Sequence, residues 1–134
     1  MKSDVIYNKI SVIERCVKRV RDVYDHNPLN LEDYTKQDSI VLNLQRACEA
    51  CIDLAMHIVA EARIGLPQTS RDAFDILFVN SIINEQTSKR LKAMVGFRNI
   101  AVHDYQAINI VILEQIIEKH LGDFTEFTKQ IINY

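Results

Sequence analysis

The sequence predicts an all-α fold: an up-and-down bundle of four to five helices in a single domain, residues 1–134. Three observations lead there. Apolar residues recur at steps of three and four, the spacing that lines one face of an α-helix. The chain has only 3 glycines and 2 prolines, too few for a turn-rich β fold. The connectors between periodic stretches are short, which sets consecutive helices side by side.

The first helix is predicted over about residues 4–25, where Ile6, Ile10, Ile13, Val17, Val20 and Tyr24 make one apolar face. Arg15, Lys18, Arg19 and Arg21 fall on its other faces. Asn27-Pro28 stops it. Residues 27–37 read as a connector with at most a short turn of helix. Asp38 or Ser39 then suits the N-cap of a second helix running to about Arg63. Its core side carries Ile40, Leu44, Ala47, Cys48, Cys51, Leu54, Ala55, Ile58 and Val59. Gly65-Leu66-Pro67 ends it. Ser70 caps a shorter helix with Ala73, Phe74, Leu77 and Phe78, and another starts near Asn84 or Glu85 with Leu91, Met94, Val95 and Phe97. The last helix runs from about Asn109 to the C-terminus. Its start, Ile108 to Leu113, is rich in β-branched residues, but Phe124, Phe127 and Ile131 continue it at helical spacing. Gly122 is a candidate bend.

Bulk properties narrow the function classes. A chain of 134 residues can bury a real core without disulfides or a metal. Hydrophobic residues make up 48%, yet no run approaches the roughly 20 needed to span a bilayer. Met1-Lys2-Ser3-Asp4 leads straight into the amphipathic pattern, so no signal peptide is expected. The formal net charge of -2 gives no bulk attraction to nucleic acid, and any such contact needs a local patch. The three cysteines are Cys16, Cys48 and Cys51. The C-x2-C spacing invites a zinc reading, but no second Cys or His pair completes four ligands. Buried, reduced thiols in a cytoplasmic protein fit better.

The chemistry concentrates in Phe97-Arg98-Asn99-Ile100-Ala101-Val102-His103-Asp104-Tyr105. Arg98 can hold a phosphate through a forked contact. His103 can exchange a proton near neutral pH. Five residues advance about 500° on a helix, so the two would point roughly 140° apart. The helix is therefore expected to fray near Val102, leaving His103 to Tyr105 in a turn, unless the long Arg side chain reaches round. The bland alternative is a surface Arg and a partly buried structural His.

This segment resembles the R-x4-H-x-Y signature of the HEPN superfamily, in particular its HepT-type toxins. The likeness in domain size and helix order extends along nearly the whole chain. It implies a metal-independent endoribonuclease working as a homodimer, with no cofactor and an RNA substrate. By match to the motif, Arg98 would bind the scissile phosphate and His103 would serve as general acid or base for attack by the ribose 2′-hydroxyl. Asn99 would orient the His or the phosphate by hydrogen bonding. The resemblance also implies a partner, an MNT-type nucleotidyltransferase antitoxin that transfers AMP to Tyr105. A non-catalytic HEPN module that assists such a partner is the alternative.

Other candidates are weaker. Lys89, Arg90 and Lys92 lie ahead of Arg98 and, with the basic face of the first helix, could track a phosphate backbone. A solvated helix surface is the simpler reading. Arg46, Glu49, Asp53 and His57 form a polar stripe on the second helix. It could be an intrahelical ion-pair ladder, an incomplete metal motif, or a face turned to the Arg98–His103 site. His26 and His120 show no convincing partners in the sequence.

Overall fold

A computed structural model describes residues 2–134, and among them there is no strand. Helix α1 spans Asp4–Tyr24, α2 Tyr34–Ala62, α3 Ser70–Val79, α4 Glu85–His103, α5 Ile110–Gln115 and α6 Leu121–Ile132. A π-helical turn, Ile116–His120, joins α5 to α6, so the last two helices form one interrupted rod. Helix α1 lies along α2. Helix α2 also packs on α3 and α4, α3 packs on α4, and α6 closes against α1 and α4. This is the predicted all-α bundle.

The helix boundaries show where local chemistry outranks periodicity. Helix α2 begins at Tyr34, not at Asp38 or Ser39, because the Asp33 carboxylate accepts from the Lys36 backbone N–H at 3.0 Å. The predicted connector shrinks to a 3-10 turn, Pro28–Glu32, that buries Leu31. Thr69, not Ser70, caps α3. It accepts from the Asp72 N–H while the Asp72 carboxylate accepts from the Thr69 N–H, a reciprocal capping box. Helix α2 ends at Arg63, which takes the left-handed conformation itself (φ 55°). Gly65 has another role. A Cβ there would lie 2.9 Å from Ile76 Cδ1, so glycine lets this loop lie close against α3 without displacing the Ile76 side chain. The break in the last rod falls in the π turn, where His120 leaves helical geometry (φ -122°, ψ -1°), and Gly122 sits free of close neighbours.

The core is continuous. All of the predicted α1 stripe is buried, as is every predicted core residue of α2. At its centre Phe74 and Phe127 meet edge to face, with centroids 5.7 Å apart and planes at 75°. Both are fully buried. Cys48 and Cys51 are buried free thiols, and burial pushes both ionisations upward, Cys48 to about 12. Neutral thiols of that kind are poor metal ligands. Among the described residues no group of three or more His, Cys, Asp or Glu is placed to hold a metal, and no helix is long and apolar enough to cross a membrane.

Truncating Phe127 to Ala removes a packed ring that the core cannot refill. Urea unfolding should show a loss of about 3–5 kcal/mol, with the unfolding slope unchanged.

Candidate active site

Helix α4 stays regular to its last residue. The Asp104 N–H donates to the Ile100 carbonyl at 2.8 Å and closes the final turn around His103. The expected fraying at Val102 does not occur, and only Asp104 and Tyr105 leave the helix. The next residues form a tight 3-10 turn, Tyr105–Ala107, braced by Ala107 N–H to Asp104 C=O at 2.9 Å and Ile108 N–H to Tyr105 C=O at 3.1 Å. Asn109 then caps α5, accepting from Val111 N–H at 2.8 Å.

Regularity has a geometric consequence. Arg98 and His103 leave α4 about 7.5 Å apart along its axis and roughly 140° apart around it. The bland reading of the pair is inverted. Arg98 is the half-buried member and His103 the exposed one. The Arg98 side chain runs back across the α2–α4 seam, 30% exposed, with Nε 3.5 Å from Glu49 Oε1. Its Nη1 donates to Asn99 Oδ1 at 3.1 Å. Glu49 is itself steadied by Gln45 Nε2 at 3.1 Å. Nε remains buried without a hydrogen bond, the one such side-chain atom among the described residues. A buried donor left unpaired costs about 1–3 kcal/mol. Such groups are rare in folded proteins and tend to mark function.

Tyr105 is held elsewhere. Its hydroxyl donates to the Asp38 carboxylate near the start of α2. Burial and that carboxylate both disfavour the phenolate, and the phenol is pushed up to about 12. Asp38 and Glu49 are eleven residues apart, or about 16 Å along α2, and nearly in line on one edge. One edge of α2 thus anchors the phenol at one point and the guanidinium at another.

The weaker candidates resolve into structure. Lys89 pairs with Glu85 at 3.1 Å, Arg90 with Asp123 at 3.0 Å and Lys92 with Asp75 at 2.7 Å, so that basic cluster is neutralised locally. The α2 stripe is no ladder. Asp53 pairs with Lys9 of α1 at 3.1 Å, His57 with Glu61 at 2.8 Å, and Glu49 faces Arg98. His120 does have a partner, Asp123, at 3.0 Å. Sequence reasoning passed over Asp38 as anything but a cap. Its partner is 67 residues away, and no local signal marks it.

The profile of a family described as "Ribonuclease HepT-like" matches residues 13–131. The chain belongs to the HepT-like ribonuclease family. It is 50% identical over 125 residues to the mRNA nuclease HepT of Shewanella oneidensis, covering 93% of this chain and 94% of that protein. It is 25% identical over 131 residues to the tRNA nuclease HepT of Aphanizomenon flos-aquae, covering 92% of this chain and 89% of that protein. The solved structure of a tri-AMPylated Shewanella oneidensis HEPN toxin in complex with MNT antitoxin superposes with a TM-score of 0.94. The two are 48% identical, and the match covers 99% of this chain and 100% of that one. The R-x4-H-x-Y segment lies inside the span that the HepT-like profile matches.

Asp38→Asn removes the negative charge facing the phenol but leaves its burial. An NMR titration of the Tyr105 ring should give a midpoint near 12 in the wild type. In the variant it should fall part of the way toward the ordinary value of about 10.

Proposed function

We propose that this chain is the RNA-cleaving toxin of a toxin–antitoxin pair, with Arg98 and His103 as its catalytic groups and no metal in the reaction. The observation that carries the reading is the incompletely paired guanidinium of Arg98, fixed by Glu49 and Asn99 one and a half turns before an exposed imidazole. The Arg98 side chain is still 30% exposed, so a phosphodiester would engage its open part while Glu49 and Asn99 hold the rest in place.

His103 takes the proton of the ribose 2′-hydroxyl as that oxygen attacks the adjacent phosphorus. Arg98 stabilises the charge that builds on the non-bridging oxygens. The 5′-oxygen leaves with a proton, giving a 2′,3′-cyclic phosphate and a free 5′-hydroxyl. The need for the 2′-hydroxyl restricts the chemistry to RNA. Asn99 holds the guanidinium plane. The working unit is a homodimer. Ile100 within the motif and Ile112 on α5 are exposed and line one largely apolar groove, which a second copy would cover.

The partner is a nucleotidyltransferase of the MNT type, acting in the cytoplasm with the toxin and placing AMP on Tyr105. Tyr105 suits the role, being 39% exposed on a braced turn next to the motif. The added phosphate and nucleoside obstruct the path of the RNA backbone. The solved Shewanella oneidensis complex, an AMPylated toxin with an MNT antitoxin, supports this reading.

Arg98→Ala and His103→Ala should each reduce RNA cleavage in EDTA by roughly 10²–10⁴-fold, with melting temperatures close to wild type. Cleavage that survives in both variants, or that disappears with EDTA, overturns the reading. Surviving binding of a nucleotidyltransferase without cleavage in the wild type would favour a non-catalytic module. Glu49→Ala should lower cleavage by roughly tenfold through loss of guanidinium placement. Its effect on unfolding free energy should stay below about 1 kcal/mol, because the pair is part-exposed.

A further inference from the structure

The hydrogen bond between Tyr105 and Asp38 has no use in RNA cleavage. Asp38 sits on α2, about 16 Å along that helix from the carboxylate that steadies Arg98. Yet the contact is specific. It joins residues 67 apart in sequence, and it aims the phenolic hydrogen at a carboxylate that regular helix holds in place. The Tyr105 backbone is fixed as well, by the two hydrogen bonds of its 3-10 turn. The result is an acceptor hydroxyl with its proton already on a hydrogen bond to a base and its ring part-exposed.

We propose that Asp38 is the general base for nucleotidyl transfer to Tyr105, and that it also positions the phenol for that reaction. The inference rests on the reading of Tyr105 as the AMP acceptor. As the phenolic oxygen attacks the α-phosphorus of an adenosine triphosphate, its proton passes to the Asp38 carboxylate. The bond formed is Oη–Pα. The bond broken joins the α-phosphorus to the oxygen bridging to the β-phosphorus, and pyrophosphate leaves with that electron pair. Asp38 later releases the proton to water.

A phenol that ionises near 12 offers only about one phenolate in 10⁵ at pH 7, so the proton must leave during attack rather than before it. The product has no hydroxyl hydrogen to donate and carries a phosphodiester anion beside Asp38. Like charges at that range repel. The modified ring is thus released from α2 and free to swing toward Arg98, while the unmodified ring is held away.

The test compares wild type with Asp38→Asn, Asp38→Glu and Tyr105→Phe, using the Shewanella oneidensis MNT antitoxin, ATP and Mg²⁺. Initial AMP incorporation is followed by intact mass between about pH 6 and 9. Wild-type transfer should be nearly independent of pH. Asp38→Asn should be roughly 10²-fold slower at neutral pH and should gain about tenfold per pH unit, because only phenolate then reacts. Asp38→Glu should recover part of the rate. RNA cleavage by unmodified Asp38→Asn should match wild type, which shows that the variant is folded. Asp38→Asn within about threefold of wild type with a flat pH profile overturns the role of Asp38. If Tyr105→Phe then takes no AMP, the acceptor reading stands alone. AMP on Tyr105→Phe, or none on wild type, overturns both.

Discussion

The burial of α2 is the constraint from which the rest follows. This helix packs against α1, α3 and α4, and it contributes twelve buried residues, from Ile40 to Val59. A helix wrapped so closely has little polar surface left, and what remains is confined to one edge. Asp38 and Glu49 lie on that edge, about three turns apart and within roughly 20° of each other around the axis. Helix α4 runs beside it. The guanidinium of Arg98 meets one carboxylate and the phenol of Tyr105 meets the other. The helix that centres the core is therefore also the ruler on which the site is laid out.

Stability and function draw on different terms. The fold rests on apolar burial centred on Phe74, Phe124 and Phe127, each such ring contributing several kcal/mol. The polar contacts of the site are part-exposed, and pairs of that kind contribute about 1 kcal/mol or less. The side chains of Arg98, His103 and Tyr105 can thus serve chemistry without holding the bundle together. Asp123 is the counterexample. Its side chain is 3% exposed between Arg90 and His120, at the end of the π turn. Removing either partner would leave the buried carboxylate with one contact fewer, a loss borne by the fold. That cluster belongs to the scaffold.

The sequence was readable where burial sets a period. The stripes of α1 and α2 emerged residue by residue, because an apolar face at helical spacing has few other meanings. The first turn of α2 was missed because Tyr34, Thr35 and Lys36 are exposed and carry no stripe. Only the Asp33 cap reveals that start, and Asp-x-x-Lys is a weak local signal. The α3 cap was legible in principle, since Thr69 and Asp72 have the capping-box spacing and Ser70 does not. Ion pairs between helices were illegible. Lys92 finds Asp75 and Arg90 finds Asp123 across other helices, so a basic run in sequence became neutral in space. The residues of the motif stand out in the sequence, and Glu49 belongs to a polar stripe for which a place facing Arg98 is one of the open readings, but the tether of Tyr105 to Asp38 is invisible there, because only the tertiary fold brings the two together.

The regularity of α4 bears on how the two proposed catalytic groups would meet. A helix that ended at Val102 would have let the backbone turn His103 toward Arg98. The closed final turn, with Asp104 N–H bonded to Ile100 C=O, denies that freedom. The remaining degrees of freedom are side-chain reach and assembly. The Arg98 side chain is committed to the α2 seam by Glu49 and Asn99, which limits how far it can swing round α4. His103 faces solvent instead, beside the exposed Val102 and the turn that leads to the apolar start of α5. A flexible phosphodiester can bridge an axial gap of about 7.5 Å, but an angular gap of roughly 140° calls for a second wall. If the chain pairs with a second copy as proposed, that copy would supply the wall and enclose the imidazole, and dimerisation would serve catalysis rather than stability alone.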